Sequence, residues 1–151
     1  MTTTALMVSL LAWLGAHTGY ALPSSEAALP TVHFRTAHEL RVLSLGSEEK
    51  ARAHSSRDIR ALYDHRTNRM FLSSEFDVEG PDYKAALLHE LTHFLQVFNG
   101  KRYSCLNESE LEAYELTNAW ITETGAPVPL YDTLFIKMLV AECSFPSAPP
   151  N

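Results

Sequence analysis

His89, Glu90 and His93 are the residues best placed to do chemistry, because they stand together as His89-Glu90-Leu91-Thr92-His93. Histidines at i and i+4 project from one face of a helix, so both imidazoles can grip one metal ion. Zn²⁺ suits paired imidazoles and keeps an open coordination position for a water. Glu90 directly follows the first histidine, where its carboxylate can reach that water and take its proton. The pattern predicts a hydrolytic zinc centre with His89 and His93 as ligands and Glu90 as general base.

Such a centre needs a helix that buries one side and presents the other. Pro81 and Asp82 suit a helix start, and Gly100 suits its stop. At about 100° per residue, Leu87, Leu88, Leu91, Phe94, Leu95 and Phe98 fall on one side and the two histidines on the other. The well-formed apolar side argues against a surface helix that merely carries two solvated histidines. Downstream, Asn107 with Glu110 reads as a capping box, so a second helix is expected from there to Gly125.

On that second helix Glu112 follows His93 with eighteen residues between them. HExxH-x18-E resembles the aminopeptidase branch of the gluzincin metallopeptidases. Glu112-Ala113-Tyr114 resembles that family's ligand helix, in which a small residue follows the glutamate. The resemblance covers Pro81 to Thr124. It implies that His89, His93 and Glu112 hold zinc and that Glu90 is the general base. Glu108 and Glu115 share a helical face with Glu112 and are its rivals, although a solvated acidic face is the plainer reading of both. Zincins often add a Tyr or His that stabilises the oxyanion, and Tyr103 and Tyr114 are the candidates in this chain. The third histidine and glycine of the metzincins are absent. The chain is far shorter than the aminopeptidases, so their amine recognition and exopeptidase specificity do not carry over.

The other elements must hold this pair of helices. The 151 residues make one domain of ordinary globular composition, 46% hydrophobic and 20% charged. A net charge of −6 argues against a nucleic-acid backbone or an anionic membrane as partner. Residues 1–21 contain no Asp, Glu, Lys or Arg, and their apolar run Ala5–Ala16 is too short to span a bilayer. Gly19-Tyr20-Ala21 supplies small residues for a cleavage site, so residues 1–21 read as a signal peptide cut after Ala21. A buried or frayed N-terminal helix is the alternative. Leu22 to Pro30 reads as a linker.

Thr31–Arg35 is expected as a strand, and Thr36 to Glu39 as a capping box opening a short helix that ends at Gly46. Ser47 to Arg57 lacks an apolar period and reads as a loop. Ile59–Tyr63 and Arg69–Leu72 flank a turn and predict a β-hairpin. A strand just before the HExxH helix resembles the zincin arrangement, in which an edge strand lines the cleft and pairs with an extended substrate. His33 and His38 lack partners at ligand spacing. Asp132 can cap a last helix with Leu134, Phe135, Met138, Leu139 and Ala141 turned inward. Residues 144–151 read as a disordered tail. Cys105 and Cys143 are an even pair, which in an exported protein reads as one disulfide.

The expected fold is α+β, a small antiparallel β unit followed by three helices with a zincin-like core, and the metallopeptidase domain spans 31–143. The expected function is zinc-dependent peptide-bond hydrolysis by a secreted or periplasmic monomer. Its substrate is a peptide or protein, with no nucleic-acid partner and no stable membrane insertion once the leader is removed. The competing expectation is a non-catalytic zinc-binding or interaction module that keeps the site for stability.

Overall fold

The computed structural model of the chain describes residues 1–143. The expected tail over 144–151 lies outside the described residues, and so does the side chain of Leu139. The architecture is α+β. Strands β1 (Thr31–Arg35), β2 (Ala61–Asp64) and β3 (Arg69–Ser73) form one sheet in the order β1-β3-β2. β2 and β3 make the expected hairpin, with Ala61 beside Leu72 and Asp64 beside Arg69. Its turn is held by the Asp64 carboxylate, which accepts from the Arg66 N–H at 3.0 Å and the Thr67 hydroxyl at 2.8 Å.

The sheet is mixed, which corrects the expected antiparallel unit. β1 runs parallel to β3, from Thr31 beside Arg69 to Arg35 beside Ser73. Two helices, α2 (Ala37–Leu45) and α3 (Glu48–Ala53), occupy the chain between β1 and β2. A parallel pair needs such a crossover, whereas an antiparallel pair needs only a turn. α2 opens on the expected Thr36/Glu39 capping box and ends at Gly46, whose φ of 88° is left-handed. α3 replaces the loop expected over Ser47 to Arg57. Ser47 caps it by accepting from the Lys50 N–H at 3.2 Å, and its one buried residue is Ala51, too little apolar content to show a period.

Four further helices complete the fold: α1 (Thr3–Thr18), α4 (Pro81–Phe98), α5 (Leu106–Thr124) and α6 (Thr133–Cys143). α4 is the spine. Leu87, Leu88, Leu91, Phe94 and Leu95 are buried as the periodicity predicts, while Phe98 runs past the core and is 45% exposed. Met70 and Leu72 of β3 meet α4 in one core with Trp120 and Ile121 of α5. α1 joins the same core through Leu6, Met7, Leu10, Leu11 and Leu14. Residues 1–21 thus form a packed helix and its C-terminal extension in the full chain.

α6 departs from its expected orientation. Leu134, Phe135 and Met138 are exposed, at 65%, 62% and 61%, and Ala141 is exposed too. Ile136, Val140 and Cys143 form the half-buried stripe instead, at helical spacing. Asp132 caps this helix as expected, accepting from the Leu134 N–H at 2.9 Å. A disulfide joins Cys105, at the start of α5, to Cys143, at the end of α6. It closes a separation of 38 residues and pins the peripheral helix to the site-bearing one.

Candidate metal centre

α4 places His89 and His93 one turn apart on the side away from the core, with their Nε2 atoms 3.3 Å apart. α5 brings Glu110 across to them. Glu110 Oε2 lies 3.2 Å from His89 Nε2, and Glu110 Oε1 lies 3.2 Å from His93 Nε2. One ligand atom from each of the three residues lies within 4.8 Å of the others, so the trio has the donor types and the proximity to hold a metal ion. The histidine side chains are 12% and 16% exposed and Glu110 is 38% exposed, so solvent and solutes reach the trio from the Glu110 side.

Glu112 is not brought to the histidines, and the third-ligand expectation moves to Glu110. Sixteen residues, not eighteen, separate His93 from the glutamate that meets it. The Glu112 carboxylate instead accepts hydrogen bonds from the Tyr20 phenol and, at 3.0 Å, from the Tyr103 phenol. The cause is where α5 begins. Glu110 was expected to serve a cap at Asn107, but the helix starts at Leu106. No side chain caps it; Glu108 in the first turn instead accepts from the Ser104 N–H at 2.8 Å and its hydroxyl at 3.0 Å, tying the preceding loop to the helix. That leaves Glu110 free to cross to α4. Glu115 pairs with Lys137 of α6 at 3.5 Å.

Glu90 is 5% exposed, packed between α4 and the sheet. The register of the hairpin explains its partner. Arg60, Leu62 and Asp64 pair their backbones with β3, as the 2.8 Å bond from the Ser73 N–H to the Arg60 carbonyl shows. Ala61 and Tyr63 therefore turn theirs to the free edge of the sheet. There the Tyr63 backbone N–H faces the Glu90 carboxylate and favours its charged form. Burial pushes the Glu90 carboxyl above the usual carboxylate range; His89 and His93 oppose that shift, and Glu110 adds to it. A carboxylate of raised basicity beside the trio suits proton abstraction.

Gln96 is a residue that sequence reasoning missed, although it lies on the histidine side of α4. Its Nε2 donates to the Ser109 carbonyl at 3.0 Å, which fixes the orientation of the amide. Its Oε1 then accepts from His93 Nδ1 at 2.9 Å, so His93 turns Nε2 to the trio. This is the outer partner that metal-binding histidines usually have. Gln96→Ala is expected to weaken zinc binding by about 10–100-fold with the fold retained. Competition titration against a chromophoric chelator measures it, and wild-type affinity refutes the role.

Charge couples the trio to pH. Burial works to lower the His93 pKa, but the Glu110 hydrogen bond and the charges of Glu90 and Glu110 outweigh it and hold the imidazole up at about 9. Burial likewise works to raise the Glu110 carboxyl, and its hydrogen bonds to His89 and His93 win, holding it well below the usual carboxylate range. A histidine whose folded pKa exceeds its unfolded value adds stability that is complete below the unfolded pKa and lost as pH rises through the folded one. The melting temperature of the metal-free protein is therefore expected to fall as pH rises from 6.5 to about 9. A flat profile there refutes the His93–Glu110 pairing.

Two phenols border the trio. The Tyr114 ring lies 4.5 Å from the His89 ring, and the Tyr131 ring lies 5.0 Å from Tyr114. Among the described residues neither phenol oxygen has a hydrogen-bond partner. Burial and the nearby Glu110 push Tyr114 up to about 12, so it stays a donor at neutral pH. Asn118 pins Tyr131: its amide donates to the Tyr131 carbonyl at 2.9 Å and accepts from the Tyr131 N–H at 2.8 Å. Tyr103, engaged by Glu112, is not at the trio. Of the remaining histidines considered, His33 meets the Thr31 hydroxyl and His38 meets Glu48.

A family model described as Domain of unknown function (DUF6647) matches residues 1–150. No curated protein and no solved structure matches the chain.

Proposed function

We propose that this chain, which belongs to the DUF6647 family of unknown function, is a zinc-dependent hydrolase of peptide bonds. The observation that carries the reading is the trio of His89, His93 and Glu110, whose ligand atoms lie within 4.8 Å of one another, with the buried Glu90 carboxylate beside it. His89, His93 and Glu110 would hold a zinc ion, which would supply a Lewis acid able to polarise a carbonyl and to lower the pKa of a water to about 7. Glu90 takes the proton from the attacking water and passes it to the leaving amine. The Tyr63 backbone N–H orients that carboxylate. Tyr114, and Tyr131 behind it, offer O–H donors to the oxygen on which negative charge develops.

The substrate in this reading is an extended peptide. β2 is an edge strand, and its free edge leads into the site at Tyr63. The HExxH helix, the edge strand and a downstream glutamate together support a zincin-like core, with the glutamate two residues earlier than the gluzincin spacing. The Cys105–Cys143 disulfide fits an oxidising compartment, and export remains part of the proposal. Intact mass of the protein from its native compartment decides whether the chain is cut after Ala21.

One observation favours the non-catalytic reading. Glu110 accepts from both histidines, so the trio forms a satisfied ion-pair network even without a cation. Metal analysis of the purified chain, followed by a peptide-library digest with and without a chelator, separates the two. Hydrolysis that the chelator abolishes supports the enzyme. Bound zinc with no cleavage of a broad library supports the binding module.

A further inference from the structure

The N-terminal arm reaches both helices that carry the metal-site residues. Trp13 Nε1 donates to Glu123 near the end of α5 at 3.2 Å, and His17 Nε2 meets the same carboxylate at 3.0 Å. Past α1, the Tyr20 phenol donates to Glu112 near the start of α5. The next residue docks on α4: the Ala21 N–H donates to Asn99 Oδ1 at 2.9 Å, and its carbonyl accepts from Asn99 Nδ2 at 3.1 Å. Asn99 is the residue that closes α4. The arm thus grips α5 at two places along its length and α4 at its end.

Glu110 and Glu112 lie two residues apart on α5, so their side chains leave the helix about 200° apart. A pull on Glu112 from one side therefore aims Glu110 to the other, where His89 and His93 stand. Tyr103 pulls in the same direction from the loop between α4 and α5. We propose that Tyr20, Tyr103 and Glu112 are positioning residues of the metal site, a clamp that holds α5 in the rotation delivering Glu110 to the histidines. The arm through Ala21 then belongs to the metal-binding unit. A cut after Ala21 takes Tyr20 away from Glu112, so processing there weakens the site. The metal consequence rests on the zinc reading above; the clamp on α5 does not.

The test is the double variant Tyr20→Phe/Tyr103→Phe. It keeps both rings and deletes both hydroxyl donors, and it removes no ligand. Zinc affinity is read by chelator competition, and amide hydrogen exchange over residues 106–113 is read in the metal-free protein. Zinc binding is expected to weaken by about 10-fold or more, and exchange in the first two turns of α5 to quicken. Glu112→Gln, which keeps one carbonyl acceptor for a phenol, is expected to lie between wild type and the double variant, and stands in if the latter does not fold. Wild-type zinc affinity in the double variant overturns the proposal. If the wild type itself binds no zinc, the zinc reading fails on its own; faster exchange then still supports the clamp, and unchanged exchange overturns it.

Discussion

Glu90→Gln is expected to bind zinc about as well as the wild type and to lose peptide hydrolysis by a factor of about 10²–10⁴. In the proposed site the ligands are two imidazoles and the Glu110 carboxylate, which leaves Glu90 out. Glutamine keeps an oxygen to face the Tyr63 N–H but has no basicity. Burial already disfavours the Glu90 charge, and a neutral amide carries less of that cost. The variant should therefore fold with at least wild-type stability in the metal-free state. A chelator-sensitive substrate comes first, then kcat and KM for both proteins. Wild-type turnover by Glu90→Gln ends the general-base role, whatever the zinc content.

Glu110→Ala is expected to cost more than about 100-fold in zinc affinity, beyond the 10–100-fold that partners outside the ligand set contribute. Glu112→Ala is expected to cost about 10-fold, through the loss of its grip on Tyr20 and Tyr103. The order of these two effects is decisive. The HExxH-x18-E resemblance requires Glu112 as the ligand, with Glu110 dispensable. The 3.2 Å approaches of Glu110 to both imidazoles require the larger loss at Glu110. Equilibrium dialysis with zinc on the two variants, alongside His89→Ala as the ligand-loss standard, decides between them.

The two glutamates show where sequence reading stops. His89, Glu90 and His93 lie within five residues of one helix, and helical pitch alone puts both imidazoles on one side. The proposed third ligand comes from another helix, so its identity depends on where that helix starts and how it is rotated. The acidic run Glu108 to Glu115 offers carboxylates on two opposite sides of α5, Glu110 on one and Glu108, Glu112 and Glu115 on the other. Hydrogen bonds from Ser104 to Glu108, and from Tyr20 and Tyr103 to Glu112, engage the two rival carboxylates, and all three partners lie outside the helix.

The sequence by itself determined what short-range chemistry enforces. Thr36 and Glu39 close their capping box within one turn, Asp64 to Asn68 bend the β2–β3 hairpin, and Leu87 to Leu95 lay the apolar side of α4 at a spacing set by the backbone. Two cysteines allow one pairing within the chain, and the disulfide forms it. Tertiary structure decided the rest. That β1 runs parallel depends on the α2–α3 crossover, and the packing of Leu6 to Leu14 into the core of the full chain depends on the surface that α4 offers them. Leu134 and Met138 are apolar enough for an interior, but among the described residues α6 packs chiefly on α5 and turns Ile136 and Val140 inward instead. Tyr131 reaches the site only because Asn118, on a different element, holds its backbone. Contacts between residues far apart in sequence follow from packing and helix rotation, which no local pattern of residue types records.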